Sequence, residues 1–178
     1  MDEGEIMHPN AVLLQRLFSS LNQHDHEAMA ACYHSQATFT DIAFDLRGKQ
    51  QIQAMWHMIC QPGDHTSDIR AMFNVIYADD QRGWVNLVDD YTFSSTGRKV
   101  TNVIDSHFCF EDGLIAKQLD FCDPRAWASM ALGGLSGFFA AQFRFLRSFK
   151  ARQMLNKFVH EHSDYQLAFA NGRADAKV

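Results

Sequence analysis

The chain has 178 residues, of which 47% are hydrophobic and 15 are phenylalanine, and its formal net charge is −5. This length and composition allow one domain with an aromatic core plus an appendage, and the negative charge argues against nucleic acid as a partner, because phosphate binding needs a concentrated basic surface. The four cysteines form no CxxC pair and no zinc-finger spacing, so we expect reduced thiols and a cytoplasmic location.

The amino-terminal part of the chain is predicted to contain three helices and one strand. Residues 1–9 lack the basic and apolar runs of a signal peptide and are expected to form a flexible leader. NAVLLQRLFSSLNQ has apolar residues at helical spacing, and a short second helix follows, which Asp25 can cap. ATFTDIAF predicts a strand, and LRGKQQIQAMWHMIC predicts a third helix, which ends at Pro62 and Gly63. No window has the roughly 18 apolar residues that indicate a membrane span.

From Asp68 onward the hydrophobic pattern changes from helical to alternating. The first strand of this region is predicted to place alternate residues on one face: Ile69, Ala71, Phe73, Val75 and Tyr77. Three more strands are expected at residues 84–93, 100–110 and 114–123, joined by the turns SSTGRK and EDG. Helices followed by an antiparallel meander predict an α+β fold rather than a βαβ one.

Two aspartates interrupt apolar faces of the predicted strands. Asp41 shares a strand face with Phe39, and Asp89 falls within a stripe that otherwise faces the core. A buried unpaired carboxylate is destabilising, and a protein tolerates one by pairing it, raising its pKa or keeping it near water in a cavity. Each aspartate therefore either lines a pocket or has a structural role, such as capping a strand end or pairing with Arg47 or Arg70.

Specific segments resemble a known superfamily. LLQRLFSSLNQHDHEAMAACYHSQATFTD is similar to the opening of the ketosteroid isomerases, and GRKVTNVIDSHFCFEDGLI is similar to the long strand and turn of the same superfamily. The superfamily includes nuclear transport factor 2, ketosteroid isomerase and the SnoaL-like polyketide cyclases. The resemblance implies a cone-shaped domain over residues 10–133, in which three N-terminal helices pack on a strongly curved antiparallel sheet around a conical pocket.

The resemblance also implies roles for acidic residues. Asp41 matches the proton-shuttling carboxylate of the isomerases, and Asp120 falls where the cyclases carry a base on the last strand. The isomerase oxyanion hole does not carry over, because Leu17 stands at the position of its tyrosine and Ser106 at that of its protonated aspartic acid. Ser106 also stands where the cyclases have a histidine. We expect Asp41, Asp89 and Asp120 to converge as candidate catalytic acids and bases, with mutual repulsion raising one pKa.

Other residues are predicted to contact a ligand. Asn102 and Ser106 are the expected neutral donors to a ligand oxygen, although both could instead satisfy backbone groups. The expected pocket walls, for which core packing is the alternative, are aromatic: Phe39, Trp56, Phe73, Tyr91, Phe108 and Trp127. Asp105 and His107 share the outer sheet face, which in this superfamily usually meets a second subunit, so we expect a homodimer there. Two such ligands do not make a metal site, and we expect neither a metal nor a cofactor.

The chain beyond the last strand is predicted to form a helical extension over residues 134–165. The apolar residues of 138–149 share one helical face, whereas those of 151–159 point about half a turn away. We therefore predict a kink near Lys150 or two different partner surfaces. Packing on its own domain or across a dimer is favoured over contact with a membrane, which such helices can also make. Residues 166–178 are predicted to be a polar tail.

Two functional hypotheses follow from these observations. The first is cofactor-free acid–base chemistry on a small hydrophobic carbonyl compound, of isomerase, polyketide-cyclase, lyase or dehydratase type. The second is a non-catalytic module of the same fold that binds a ligand or another protein, since fold does not decide function. Carboxylates that lie close together beside a hydrated cavity would favour the first hypothesis, and a cone filled with phenylalanine would favour the second.

Overall fold

A computed structural model of the chain describes residues 7–61, 68–93, 96–133 and 144–171, with the backbone alone for residues 144–150 and 171. The elements follow in this order: α1 (Pro9–Asn22), α2 (His26–Ala31), β1 (Tyr33–Thr40), β2 (Asp45–Arg47), α3 (Lys49–Cys60), β3 (Arg70–Ala78), β4 (Arg82–Phe93), β5 (Arg98–Glu111), β6 (Leu114–Cys122), α4 (Pro124–Leu132), α5 (Arg144–Glu161) and α6 (Ser163–Asn171). The predicted α+β class, with helices packed on a curved sheet, is confirmed.

The described strands form one six-stranded sheet in the order β2-β1-β6-β5-β4-β3. Strands β3 to β6 pair antiparallel with their chain neighbours, which is the predicted meander. Strand β1 pairs in parallel with β6, however, and in antiparallel fashion with the short strand β2, which the sequence analysis did not separate from β1. The parallel pair brings the carboxyl end of β1 next to β6, the strand that carries Asp120.

The helices α1 and α3 cover the inner face of the sheet, and the core lies between these helices and the sheet. Asp25 caps α2 as predicted, since its carboxylate accepts a hydrogen bond from the backbone N–H of Ala28. A bulge between Val75 and Tyr77 changes the register of β3 against β4. Tyr77 consequently pairs with Trp84 and is exposed, whereas the uninterrupted alternation predicted it on the inner face.

The C-terminal extension packs on α3 through α5 and α6. Residues 151–170 of these two helices contribute four buried side chains to the core: Leu155, Phe158, Val159 and Tyr165. Helix α5 runs through Lys150 without interruption and ends at Glu161. The other predicted alternative, a separate partner surface for the apolar residues of 138–149, lies outside the described residues and side chains. Residues 166–171, which were expected to begin a polar tail, lie in α6, where Phe169 packs against the core. No helix among the described residues is long and apolar enough to cross a membrane.

Candidate functional site

The pairing of β4, β5 and β6 aligns polar side chains on the inner face of the sheet. Asp89 on β4 pairs with Asn102 on β5, and Ser106 on β5 pairs with Asp120 on β6. The parallel register of β1 and β6 ends with Thr40 opposite Leu119, so one further residue brings Asp41 beside Asp120. The fold thus brings the three predicted carboxyls, which we call the acid cluster, to one region: Asp41, Asp89 and Asp120.

Asp41 lies in the turn between β1 and β2, and one of its oxygens stabilises that turn. Its Oδ1 accepts hydrogen bonds from the backbone N–H groups of Ala43, at 2.7 Å, and Phe44. Burial raises the pKa of the half-buried carboxyl to about 6 against the opposing effect of these two bonds. Asp41 therefore combines both alternatives raised by the sequence: it closes a strand end, and it also belongs to the acid cluster.

Asp89 is the acid with the fewest partners. It is 9% exposed, and its buried Oδ1 has no hydrogen-bond partner among the described residues. Burial raises the pKa of Asp89 to about 8, and the carboxylates of Asp120 and Asp90 contribute to the rise. A carboxyl in this position is mostly protonated at neutral pH, so it presents an O–H donor rather than a negative charge.

Asp120 is held by a neighbouring amide. The side-chain Nε2 of Gln118 donates to both carboxyl oxygens of Asp120, at 3.0 Å each. Burial raises the pKa of Asp120 to about 7, Gln118 and the Ser106 hydroxyl oppose that rise, and Asp41 adds to it. The Ser106 Oγ is fully buried and completes no hydrogen bond of standard geometry with a described residue. The Ser106 hydroxyl therefore lies beside the acid cluster as a hydrogen-bond donor that is available to a ligand or to Asp120.

The three acids influence one another electrostatically. Asp120 raises the pKa of Asp89, and Asp41 raises the pKa of Asp120. Tyr91 lies close enough to the acid cluster to be influenced by it. Burial is the main cause that raises the pKa of Tyr91 to about 12, and the charges of Asp89 and Asp41 add to the rise. Like charges that interact at close range cannot all ionise together near neutral pH, so the cluster titrates as a unit and holds protons where isolated aspartates would not.

An aromatic pair from β4 and α4 lies next to the acid cluster. The indole Nε1 of Trp127 donates a hydrogen bond of 2.8 Å to the Tyr91 hydroxyl. Phe93 contacts the Trp127 ring edge to face, with ring centroids 5.4 Å apart. Tyr91, Phe93 and Trp127 are half-buried, as are Asn102 and Asp120. These side chains are in partial contact with solvent, so this side of the acid cluster lies near the protein surface.

The other predicted pocket walls lie deeper. Phe39 and Trp56 pack edge to face with centroids 5.9 Å apart, and both belong to the buried core. Phe108 is buried against Phe18, and only Phe73, which also contacts Phe18, is half-buried. The alternative of core packing thus describes the position of three of these four rings, whereas Tyr91 and Trp127 lie on the solvent side of the acid cluster.

A groove of about 790 Å³ lies on the outer face of the sheet. It is bordered by exposed apolar side chains, among them Met72, Val103 and Phe121. The acid cluster lies on the opposite face, so this groove does not enclose it. On the same outer face, Trp84 stacks on His107 and donates a hydrogen bond to Asp105. Within the described residues, no three His, Cys, Asp or Glu side chains are grouped in a way that could hold a metal ion.

Sequence reasoning missed two polar residues behind the acid cluster. The fully buried Gln118 donates to Asp120, and its Oε1 accepts a hydrogen bond from the Tyr33 hydroxyl. The available signal for Gln118 was its place two residues before Asp120, on the same strand face. For Tyr33 the sequence carried no such signal: its spacing to Met29 is that of a helix, whereas Tyr33 is the first residue of β1.

Comparison with known proteins shows the family of the chain. A family model described as the SnoaL-like domain matches residues 14–118. A comparison with curated protein sequences gave no significant match. Many solved structures do match. One is a candidate polyketide cyclase from Silicibacter sp. TM1040, with 16% identity and a TM-score of 0.59 over 68% of this chain and 94% of the other.

Two further structures resemble the chain to a similar degree. An epoxide hydrolase of the LEH-like type from M. tuberculosis has 15% identity and a TM-score of 0.56, over 74% of this chain and 96% of the other. TerC, co-crystallised with polyporic acid, has 16% identity and a TM-score of 0.58, over 70% and 98%. At these identities the structures establish the fold alone. Because the family model covers more than half of the chain, the protein belongs to the SnoaL-like domain family.

Proposed function

We propose that this protein carries out cofactor-independent acid–base chemistry on a small hydrophobic carbonyl compound, of isomerase, cyclase or lyase type. The observation that carries the proposal is the convergence of Asp41, Asp89 and Asp120, whose pKa values of about 6, 8 and 7 lie near neutrality. Groups that exchange protons near the working pH are the most efficient general acids and bases. Polyketide cyclisation, named for one structural relative, needs the same proton transfers next to a carbonyl.

The different surroundings of the acids suggest different roles. At pH 7 Asp41 is mostly ionised and serves as the base that removes a proton from the carbon next to the carbonyl. The electron pair left on that carbon forms a C=C bond, and negative charge develops on the carbonyl oxygen. Asp89 carries a proton that it donates to this oxygen, with Asn102 and Ser106 as neutral donors nearby. Asp41 then donates its proton to a carbon of the enol, and the enol O–H returns its proton to Asp89 as the C=O bond forms again, so both acids regain their starting states.

Proton exchange tests this proposal without knowledge of the natural substrate. The protein is incubated in D₂O with 2-tetralone and 2-methylcyclohexanone, and proton NMR measures the loss of the signal at the carbon next to the carbonyl. We expect exchange above the buffer rate for at least one ketone, reduced at least about 100-fold in Asp41→Asn. Asp45→Asn, at an exposed position of β2, is the matched control and should exchange like the wild type. Full exchange by Asp41→Asn would exclude Asp41 as the base.

The second candidate is a module of the same fold that binds a hydrophobic ligand or a protein without catalysis. The observation that favours it is the filling of the cone by buried aromatic rings, including Phe39 and Phe108, together with the use of one Asp41 oxygen in a turn. The two candidates separate in the same experiment. Binding of a ketone, seen as a change in Trp127 fluorescence, without any exchange over the buffer rate would support the module.

The outer sheet face is the proposed contact surface of a homodimer. Met72, Trp84, Val103 and Phe121 are exposed there, and Val103 reaches 67% exposure. Contiguous apolar patches of this kind are usually covered in the functional assembly. Sedimentation equilibrium should give a dimer for the wild type and a monomer for Val103→Glu, and a monomeric wild type would contradict the proposal. A cytoplasmic location is proposed as well, since reducing conditions would preserve the buried thiols of Cys32 and Cys60.

A further inference from the structure

A chain of hydrogen bonds leads from the core to the acid cluster. The indole Nε1 of Trp56 donates to the Tyr33 hydroxyl oxygen at 3.2 Å, and the Tyr33 O–H donates to Oε1 of Gln118. The Nε2 of Gln118 then donates to both oxygens of Asp120. Trp56, Tyr33 and Gln118 are 6%, 1% and 0% exposed, so water does not compete for these bonds.

The direction of this chain is determined by its first member. An indole N–H can only donate, so the Tyr33 oxygen accepts from Trp56 and its single hydrogen is available for Gln118. The Gln118 oxygen must accept that hydrogen, which turns the amide NH₂ towards Asp120. A reversed amide would leave the Tyr33 hydrogen buried without an acceptor, which is unfavourable. Because an NH₂ group can only donate, the carboxyl of Asp120 must accept.

We propose that Trp56, Tyr33 and Gln118 form a one-way donor chain that favours the ionised form of Asp120 and holds its carboxyl in place. These three are positioning residues, since they act through Asp120. The preference for the ionised form follows from the geometry of the chain, because the amide NH₂ donates to both carboxyl oxygens and a protonated carboxyl oxygen is the weaker acceptor. Its catalytic consequence rests on the proposed function: an ionised Asp120 next to a protonated Asp89 supplies a second proton acceptor in the acid cluster.

The donor chain acts against several other groups around Asp120. Burial and the charge of Asp41 both raise the pKa of Asp120, and the bond from Gln118 is the largest influence that lowers it. The polar and titratable groups that influence Asp120 or are influenced by it come from three other strands: Tyr33 on β1, Asp41 at its end, Asp89 on β4 and Ser106 on β5. Loss of the Gln118 donor would leave Ser106 as the remaining group that favours the ionised form.

Carbon-13 NMR of the aspartate carboxyl groups tests the proposal directly. The Asp120 signal is assigned with Asp120→Asn, and its titration midpoint is measured in the wild type and in Gln118→Met, which replaces the amide by an apolar group of similar length. We expect the midpoint to rise by about 1–2 pH units, as for the loss of hydrogen bonds to a charged group. Gln51→Met is the control: Gln51 bonds to the backbone of Arg47 and Ala168 and to no member of the acid cluster, and this variant should leave the midpoint unchanged.

Two variants further back test the direction of the chain. Tyr33→Phe and Trp56→Phe keep an aromatic ring in the core but remove the hydroxyl or the indole donor. Both should raise the Asp120 midpoint by less than Gln118→Met does, because the amide is then free to reverse. If Gln118→Met does not fold, the shifts in these two variants decide the question. An unchanged or lowered midpoint in the folded variants would overturn the proposal.

The outcome is independent of the proposed function. A raised midpoint in Gln118→Met together with a wild type that exchanges no ketone would retain the donor chain and exclude the catalytic proposal for those ketones. An unchanged midpoint together with exchange that depends on Asp41 would retain the catalytic proposal and exclude the donor chain. The pH profile of exchange gives a second readout, since its acidic limb should move to higher pH in Gln118→Met only if Asp120 takes part as a base.

Discussion

Replacing Asp89 by asparagine is expected to stabilise the protein at neutral pH and to lose that advantage in acid. The side chain is buried, and its Oδ1 has no hydrogen-bond partner among the described residues. Burial and the nearby carboxylates raise its pKa from 3.8 to about 8. At pH 7 the folded protein therefore holds a proton on Asp89 that the unfolded chain releases, and taking up this proton opposes folding.

Proton linkage gives the size of the effect. A carboxyl whose pKa rises on folding makes its full contribution to the free energy of unfolding below the unfolded pKa of 3.8. Above that pH, the contribution falls by about 1.36 kcal/mol per pH unit until the pH reaches about 8. At pH 7 the accumulated loss is about 4 kcal/mol. Asparagine does not ionise, but its amide has one more donor than the protonated acid, which costs about 1–2 kcal/mol if it is buried without a partner. The expected net gain at pH 7 is about 2–3 kcal/mol.

Urea denaturation at pH 5 and pH 7 measures this gain as a difference in the free energy of unfolding between Asp89→Asn and the wild type. That difference should grow by about 2.7 kcal/mol between the two pH values, because the constant amide contribution cancels. Asp45→Asn, at an exposed position, should change by less than about 0.5 kcal/mol at either pH. Equal differences at pH 5 and pH 7 for Asp89→Asn would refute the raised pKa and with it the role of Asp89 as a proton donor.

Three further predictions concern packing and thiol exposure. Leu155→Ala should lower the free energy of unfolding by about 2–5 kcal/mol in urea titrations, because this buried side chain docks α5 on the core; a loss below about 1 kcal/mol would contradict that docking. Gly83→Ala should cost about 1–3 kcal/mol in the same assay, since a Cβ would lie 2.9 Å from side-chain atoms of α1 and β5, and an unchanged midpoint would show that these neighbours yield freely. In the native protein, a thiol reagent should label Cys32 and Cys60 slowly, because both thiols are buried and burial raises their pKa to about 11; rapid labelling of either would contradict this burial.

The alternation of apolar residues was sufficient to predict the strands β3 to β6 and their antiparallel order, because hairpin partners are close in the chain and their turns are local. The same reasoning failed where a local irregularity intervened. The bulge after Val75 moved Tyr77 to the outer face, and the turn that Asp41 stabilises ended β1 at Thr40 and created β2. Both depend on hydrogen bonds that a periodic pattern does not encode.

The sequence by itself determined the fold class and the family. It also identified two aspartates that interrupt apolar strand faces, Asp41 and Asp89, since burial pattern and residue type are properties of each strand alone, and the family resemblance added Asp120. Only the tertiary structure decided which of these acids meet and what surrounds them. The parallel pairing of β1 with β6 brings Asp41 to Asp120, and Gln118 connects that acid to a tyrosine 85 positions earlier in the chain. The pKa of a buried acid depends on neighbours distant in sequence, so it becomes readable only once the strands are paired.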